Sequence, residues 1–523
     1  MFEGVTRPGS LARNVLSNWI GIPITVAYGL IITPIIVRAL DTELYGVWSF
    51  LNGLLVYSDL LYVGLGAALI KYVAQHRAND DQAGMNRLFS VVTGIYAAIG
   101  IVCFAIMLAI STVVPYAFAE PLSAAAARAA TATCVLLGAQ LFFVFVGSAF
   151  SGVICGHDRY DLVNMIWIGM IAVRFVATPL VVQSGHDPLF RLAAMTASVS
   201  AVQTLMLAMI AYRLVPRLSL RLSRWRFDEL RMLYRFGLPS FFILFAVRLV
   251  SFSDTTIIGI MLGASSVALY TLPLQLMEYA RMAVAGFTSV LLPRLTVMTT
   301  RGDLGSVREA YLDATRLACF LTAWLAATLM SIGPSFLNRW VGNTFGTPAK
   351  WVLVFLAVAA LRQVLSTHAA LPFYQATHRV SFPAKVLLLE AVLNLALTIW
   401  LAPRLGLTGV AVATAVPALL MSAVVLPPYL CRQLAVPIRT FLVASVLPGA
   451  LMFVATAVVL YLSGLVIVAE SYPAIVARAA LSVPVAALVF AVAFPPEQRR
   501  SGRQLLQSLL SVRRGLRTRR RTA

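Results

Sequence analysis

The chain has 523 residues, 60% hydrophobic and 12% charged, with a formal net charge of +21 and a mean hydropathy of +0.87. Soluble domains are about 45–50% apolar and about 25% charged, so these values exclude a secreted module, a disordered chain and an ordinary cytosolic enzyme. Apolar runs recur from one end to the other, which makes this a polytopic membrane protein.

A membrane-crossing helix needs about 20 mostly apolar residues. Fourteen segments qualify, with approximate cores at 15–37, 45–70, 88–113, 129–153, 162–183, 192–212, 238–262, 267–293, 317–333, 351–375, 380–402, 408–430, 440–463 and 474–495. The second is weakened by Asn52, Ser58 and Asp59. The first is too long for a signal-peptide core and lacks a small-residue cleavage site, so it counts as a span. Prolines Pro23, Pro34, Pro179, Pro239, Pro273 and Pro417 fall within spans, where they kink helices.

Lys and Arg in short loops set orientation. With a cytoplasmic N-terminus, inner segments hold 30 of the 41 basic residues and outer segments 7, while Arg174, Arg248, Arg281 and Arg362 lie within spans. Both termini are therefore expected in the cytoplasm. This bias accounts for most of the net charge, which on a soluble protein would suggest nucleic acid. No nucleic-acid-binding module is recognisable, and none is expected as a partner. The stretch 213–237, with Phe227, Leu230 and Tyr234 on one helical face, reads as an interfacial helix on anionic lipid. The tail from Arg499 reads the same way.

The five cysteines, Cys103, Cys134, Cys155, Cys319 and Cys431, form no CxxC pair. They read as small apolar side chains rather than disulfides or metal ligands. Outer loops are short, the longest around 114–128 and 333–350, and leave no room for an extramembrane catalytic domain. No P-loop, HExxH, GxSxG or dinucleotide fingerprint sits in a suitable context, and no cofactor is expected.

The chain carries signs of an internal repeat. Spans one and two meet at Leu40-Asp41-Thr42-Glu43-Leu44-Tyr45, and spans seven and eight at 262–270, again running from leucine to tyrosine. The links 155–160 and 375–380 are both short and polar and carry Arg159 and Arg379 at matching places. Matching features lie six spans apart, so the repeats run parallel, a transporter architecture with its site between the halves. The expected organisation is a first lobe over 1–214, a basic linker over 215–237, a second lobe over 238–430, two further spans over 431–496 and a basic tail over 497–523. The fold class is all-α, with about fourteen transmembrane helices in two six-helix lobes plus two C-terminal helices.

The run from Pro34 to Trp48, with Arg38, Leu40, Tyr45 and Gly46, resembles the first-hairpin signature R-x-L-G-x-x-x-Y-G of Wzx-type polysaccharide flippases of the multidrug/oligosaccharidyl-lipid/polysaccharide (MOP) exporter superfamily. Asp41 replaces the usual glycine. Gly64-Leu65, Leu262-Gly263 and the run Phe336–Gly342 fit the same picture. The resemblance covers spans one to twelve. It implies lobes around a central cavity in a bacterial inner membrane, and movement of polyprenyl-pyrophosphate-linked oligosaccharide for O-antigen, capsule or exopolysaccharide assembly. It also implies a polymerase and export machinery as candidate partners. An ion-coupled multidrug or small-metabolite antiporter, a lipid II flippase and a membrane glycosyltransferase or polymerase stay open as alternatives.

Eight ionisable residues sit well inside predicted spans: Asp59, Arg174, Arg248, Asp254, Glu278, Arg281, Arg362 and Glu390. Each costs about 2.5–3.5 kcal/mol at a helix centre, so they pair or face a watery cavity. Planar guanidinium groups suit phosphate oxygens. Arg248 is the first candidate for the substrate's pyrophosphate, followed by Arg174, Arg362 and Arg281; Glu278, three residues from Arg281, is a ready structural partner for it. Asp59, Asp254, Glu278 and Glu390 are candidates for coupling to H+ or Na+, since carboxyl groups in apolar surroundings can take up a proton or a cation. Each is equally a candidate salt-bridge partner. His368 reads as a packed histidine.

Overall fold

The structure is a computed structural model that describes residues 8–62, 65–183, 185–220, 252–288, 301–342, 345–365, 381–467 and 471–496, with isolated positions between them; over 8–20 it describes the backbone only. All regular elements among these residues are helical. In chain order they are α1 (Pro8–Val56), α2 (Asp59–Tyr62), α3 (Leu65–Ala78), α4 (Gln82–Val113), α5 (Ala124–Gly156), α6 (Tyr160–Gln183) and α7 (Pro188–Leu214). Then come α8 (Phe252–Leu262), α9 (Ala264–Thr288), α10 (Leu304–Trp340), α11 (Gly346–Gln363) and α12 (Ser381–Pro417). A π-helical turn over Ala418–Val425 joins α12 to α13 (Leu426–Gln433). Another over Leu442–Val446 joins α14 (Ile438–Phe441) to α15 (Leu447–Val466), and α16 (Tyr472–Ala493) closes the described fold.

Two of these helices are hairpins fused across a kink. Asp41 in α1 has φ 60° and Gly406 in α12 has φ 59°, so each chain segment turns back there. Nine helices among the described residues are long and apolar enough to cross a membrane. With the second legs of α1 and α12, and the shorter or more polar α8, α9 and α11, the passes match the fourteen expected from hydropathy.

Boundaries differ in two places. The second pass is broken between Val56 and Leu65, where Tyr57 and Ser58 form a turn; polar Asn52 and Ser58 instead bond back to the carbonyls of Trp48 and Leu55. The ninth pass is longer than its apolar core: α10 runs on to Trp340 with Pro334 inside it and α11 already starts at Gly346, so the outer loop expected at 333–350 shrinks to the few residues between them. The linker beyond residue 220, the tail beyond 499, Pro239 and His368 lie outside the described residues.

Turns at matching places in the sequence carry left-handed backbone. Asp41 (φ 60°) and Gly263 (φ 90°) turn the first hairpin of each half, and Asp187 (φ 58°) and Gly406 (φ 59°) turn the third. Left-handed backbone favours glycine, or Asp with its short polar side chain. The long helices α4 and α10 both start on an aspartate cap: Asp81 accepts from the Gly84 amide at 2.7 Å, and Asp303 from the Ser306 amide at 3.0 Å. Such caps satisfy amides that the first turn leaves unbonded.

Helices α1 to α7 pack among themselves, with α5 against α4, α3 and α7; helices α9 to α16 form a second group around α10 and α11. Close approach rests on small residues, as expected in lipid, where hydrophobic burial does not drive helix association. A Cβ on Gly152 of α5 would lie 2.3 Å from the Leu69 side chain of α3. The main bridge between the groups is α1 against α9. Gly29 and Gly46 make its tightest parts: a Cβ on Gly29 would fall 1.7 Å from Tyr279 Oη, and one on Gly46 1.8 Å from the Ala264 carbonyl oxygen.

Candidate functional site

Helices α5, α6 and α7, with Gly21, Ile22 and Thr25 of α1 and Met282 of α9, enclose a cavity of about 640 Å³. α6 rises from Tyr160, so Arg174 stands fourteen residues, or about 21 Å, up the helix, near the middle of a ~30 Å hydrocarbon layer. Arg174 is the one charged side chain among the described lining residues. Around it α5 offers Gln140, Ser148 and Ser151, α6 offers Asn164 and Trp167, and α7 offers Ser200, Gln203 and Thr204. Most of these positions lie three, four, seven or eight residues apart on their helix, which puts a polar stripe on one face of each.

Arg174 is only partly satisfied. Its Nη2 reaches Ser200 Oγ at 3.5 Å, while its buried Nε and the buried Oε1 of Gln140 have no hydrogen-bond partner among the described residues. Leaving a buried polar atom unpaired costs about 1–3 kcal/mol, more when charged. A guanidinium and an amide so placed are matched to an anion with hydroxyl groups beside it.

The other candidate residues fall elsewhere. Arg362 and Glu390 are both buried and pair at 2.5 Å, and Ser422 donates to the same carboxylate. Arg281 pairs with Glu278 through Nε at 2.7 Å on one face of α9. These four line, or lie beside, a small second cavity shared with Asp254, Tyr270 and Thr414. The Arg248 guanidinium lies 5.7 Å from the ring centre of Phe252. The side chain of Asp59 lies outside the described residues.

Asp254 on α8 is 3% exposed and forms no ion pair among the described residues. Its carboxylate accepts from Tyr270 Oη at 2.9 Å, Thr398 Oγ1 at 3.1 Å and Thr414 Oγ1 at 2.6 Å. Nearby, Asn394 Nδ2 donates to Thr414 Oγ1 at 3.3 Å, and its buried Oδ1 has no hydrogen-bond partner among the described residues. Two legs of α12 thus surround one carboxylate with oxygen atoms.

A family model described as "Polysaccharide biosynthesis protein" matches residues 11–299, more than half of the chain. The chain belongs to this family. The described match contains α1 to α9 and hence the whole lining of the larger cavity. The chain is also 23% identical over 424 residues to the uncharacterized membrane protein EpsK of Bacillus subtilis strain 168, covering 80% of this chain and 83% of that one. Its fold is similar to the inward-facing conformation of a multidrug resistance MATE family transporter of the MOP superfamily, with a TM-score of 0.67 and 16% identity over 79% of this chain and 94% of the other. It is similar again to the inward closed conformation of the lipid II flippase MurJ, with a TM-score of 0.65 and 11% identity over 92% and 98%. This member of the polysaccharide biosynthesis protein family therefore has the fold of the MOP superfamily.

Charge counting includes Arg174 among four arginines, with Arg248 first, but misses its surroundings. Gln140, Asn164, Trp167 and Gln203 carry no net charge, and their signal is the helical period of polar residues inside apolar spans. Asn394, Thr398 and Thr414 are missed for the same reason.

Proposed function

We propose that this protein carries a polyprenyl-pyrophosphate-linked oligosaccharide across the inner membrane, with the head group in the larger cavity and the lipid tail in the bilayer. The observation that carries this reading is Arg174, a half-satisfied guanidinium at mid-membrane inside a wall of neutral hydroxyl and amide groups. Bidentate pairing with a phosphate would supply its missing partners. The neutral wall suits sugar hydroxyls. A cationic drug would want acidic lining residues, and the described lining has none, which disfavours the multidrug alternative.

The face that carries His157, Asp81 and Asp303 is taken as cytoplasmic, from the distribution of basic residues. The cavity lies towards that face, and the contacts of Arg38, Gly46 and Trp340 lie towards the opposite one, as loading from inside requires. Asp254 is the coupling acid in this account: a buried carboxylate surrounded by oxygen atoms can hold a proton or a sodium ion as cargo.

The test is the sidedness of lipid-linked glycans in cells lacking the gene, probed with a membrane-impermeant sugar-directed reagent. Restoring the gene should restore outward exposure, and an Arg174→Ala version made in equal amount should not. Unchanged sidedness without the gene, in cells shown to have no second flippase, refutes the reading.

A further inference from the structure

We propose that Trp167 is a sugar-stacking platform, on which a neutral pyranose ring of the head group rests while Arg174 holds the phosphate end. This rests on the reading of the protein as a carrier of lipid-linked glycan. Trp167 and Arg174 are seven residues apart on α6, so they share a face, about 10 Å apart along the axis. Both line the larger cavity.

The indole is held from behind. A Cβ on Gly21 of α1 would lie 3.0 Å from Trp167 Cζ3, so the benzo ring packs closely against α1 and a larger residue at position 21 would press on it. The ring is not fully covered: Trp167 keeps 38% of its surface exposed and lines the cavity. A fixed ring loses little entropy when a ligand lands on it. The negative face of its π system attracts the polarised C–H groups of a pyranose face. Hydroxyls around that ring would then meet Ser148, about level with Trp167, and Asn164, one turn below it. A phosphate alone would need no indole, and a lipid tail would need no amides.

The experiment measures binding to the full-length protein in nanodiscs, using undecaprenyl pyrophosphate and the same lipid bearing a neutral disaccharide. The wild type should bind the glycosylated lipid about tenfold more tightly, the scale of one good stacking contact. Trp167→Ala should erase that preference and leave the bare lipid unchanged, whereas Arg174→Ala should weaken both. Trp167→Phe should keep most of the preference and Trp167→Leu should lose it, a comparison that stands even if the alanine variant does not fold. Equal weakening of both lipids by Trp167→Leu marks a packing role and overturns the platform, as does an intact preference in that variant. Equal affinity of the wild type for both lipids also overturns the platform but leaves the Arg174 reading standing. Binding of neither lipid overturns that reading and the platform with it.

Discussion

Trp340 Nε1 donates a hydrogen bond to the Leu30 carbonyl oxygen at 2.7 Å, and Arg38 Nη2 donates to the Trp340 carbonyl oxygen at 3.3 Å. Residues 310 positions apart are thereby tied, α10 of the second half to the first leg of α1. Both bonds lie towards the Asp41 face. They form a latch that must open if the halves part on that side. Trp340→Phe keeps an aromatic ring but loses the donor and part of the indole's packing, removing at least about 1 kcal/mol, or a shift of at least about fivefold in a two-state equilibrium. Electron-spin distance measurements between labels at Asp41 and Lys350 should gain population at longer separation. An unchanged distribution would show that the bond does not hold this side closed.

The Arg362–Glu390 pair predicts a non-additive pattern. Both side chains are buried, so removing one partner strands the other charge. Glu390→Gln should destabilise the protein by about 3–5 kcal/mol, while replacing both residues by leucine should cost much less. Thermal unfolding in detergent checks this. A double variant at least as unstable as the single one would contradict it.

Asp254 is expected to govern energy coupling rather than substrate binding. Asp254→Asn removes the charge and keeps the shape, so gradient-driven transport should fall at least about tenfold, the scale of losing a charged hydrogen-bonded contact. Binding of the lipid-linked glycan should stay within about twofold. Thr414→Val should fall between Asp254→Asn and the wild type. Transport assays under imposed H+ and Na+ gradients would identify the ion, and full gradient-driven transport by Asp254→Asn would remove this residue from the coupling step.

The two aspartate caps predict a pH dependence at one end of α4 and α10. The Gly84 amide holds the Asp81 carboxyl below its ordinary range, and bonds from the Ser306 hydroxyl and amide do the same for Asp303. With folded-state values depressed, the caps contribute fully above the ordinary carboxylate range and are lost as pH falls through the lowered values. Hydrogen-exchange protection of the Gly84 and Ser306 amides should hold from pH 7 to about 4 and drop below that. A loss of protection already at pH 6 would be inconsistent with these bonds.

The sequence carries the passes and the turns well, because hydropathy and left-handed backbone positions are local properties. Leu40-Asp41 and Leu262-Gly263 mark the two matching hairpins without any structure. The segments 34–48 and 336–342 are also visible as family-like runs, but nothing local says that Trp340 of one reaches Leu30 and Arg38 beside the other. Site residues are legible only as charges. Arg362 and Arg174 look alike in sequence, each a lone arginine in an apolar span; only packing reveals that the first meets Glu390 and the second faces a cavity. Arg248, the first candidate for the pyrophosphate, is not among the residues lining the larger cavity.

The most direct test of the account is transport in proteoliposomes, using a fluorescent polyprenyl-pyrophosphate disaccharide and a quencher outside. Arg174→Gln keeps a polar side chain and removes the positive charge. Losing charge-assisted bonds of about 1.5–3 kcal/mol should slow flipping about 10- to 100-fold while the melting temperature stays near that of the wild type. Wild-type flipping rates in a folded Arg174→Gln protein would contradict the claim that this residue carries the phosphate.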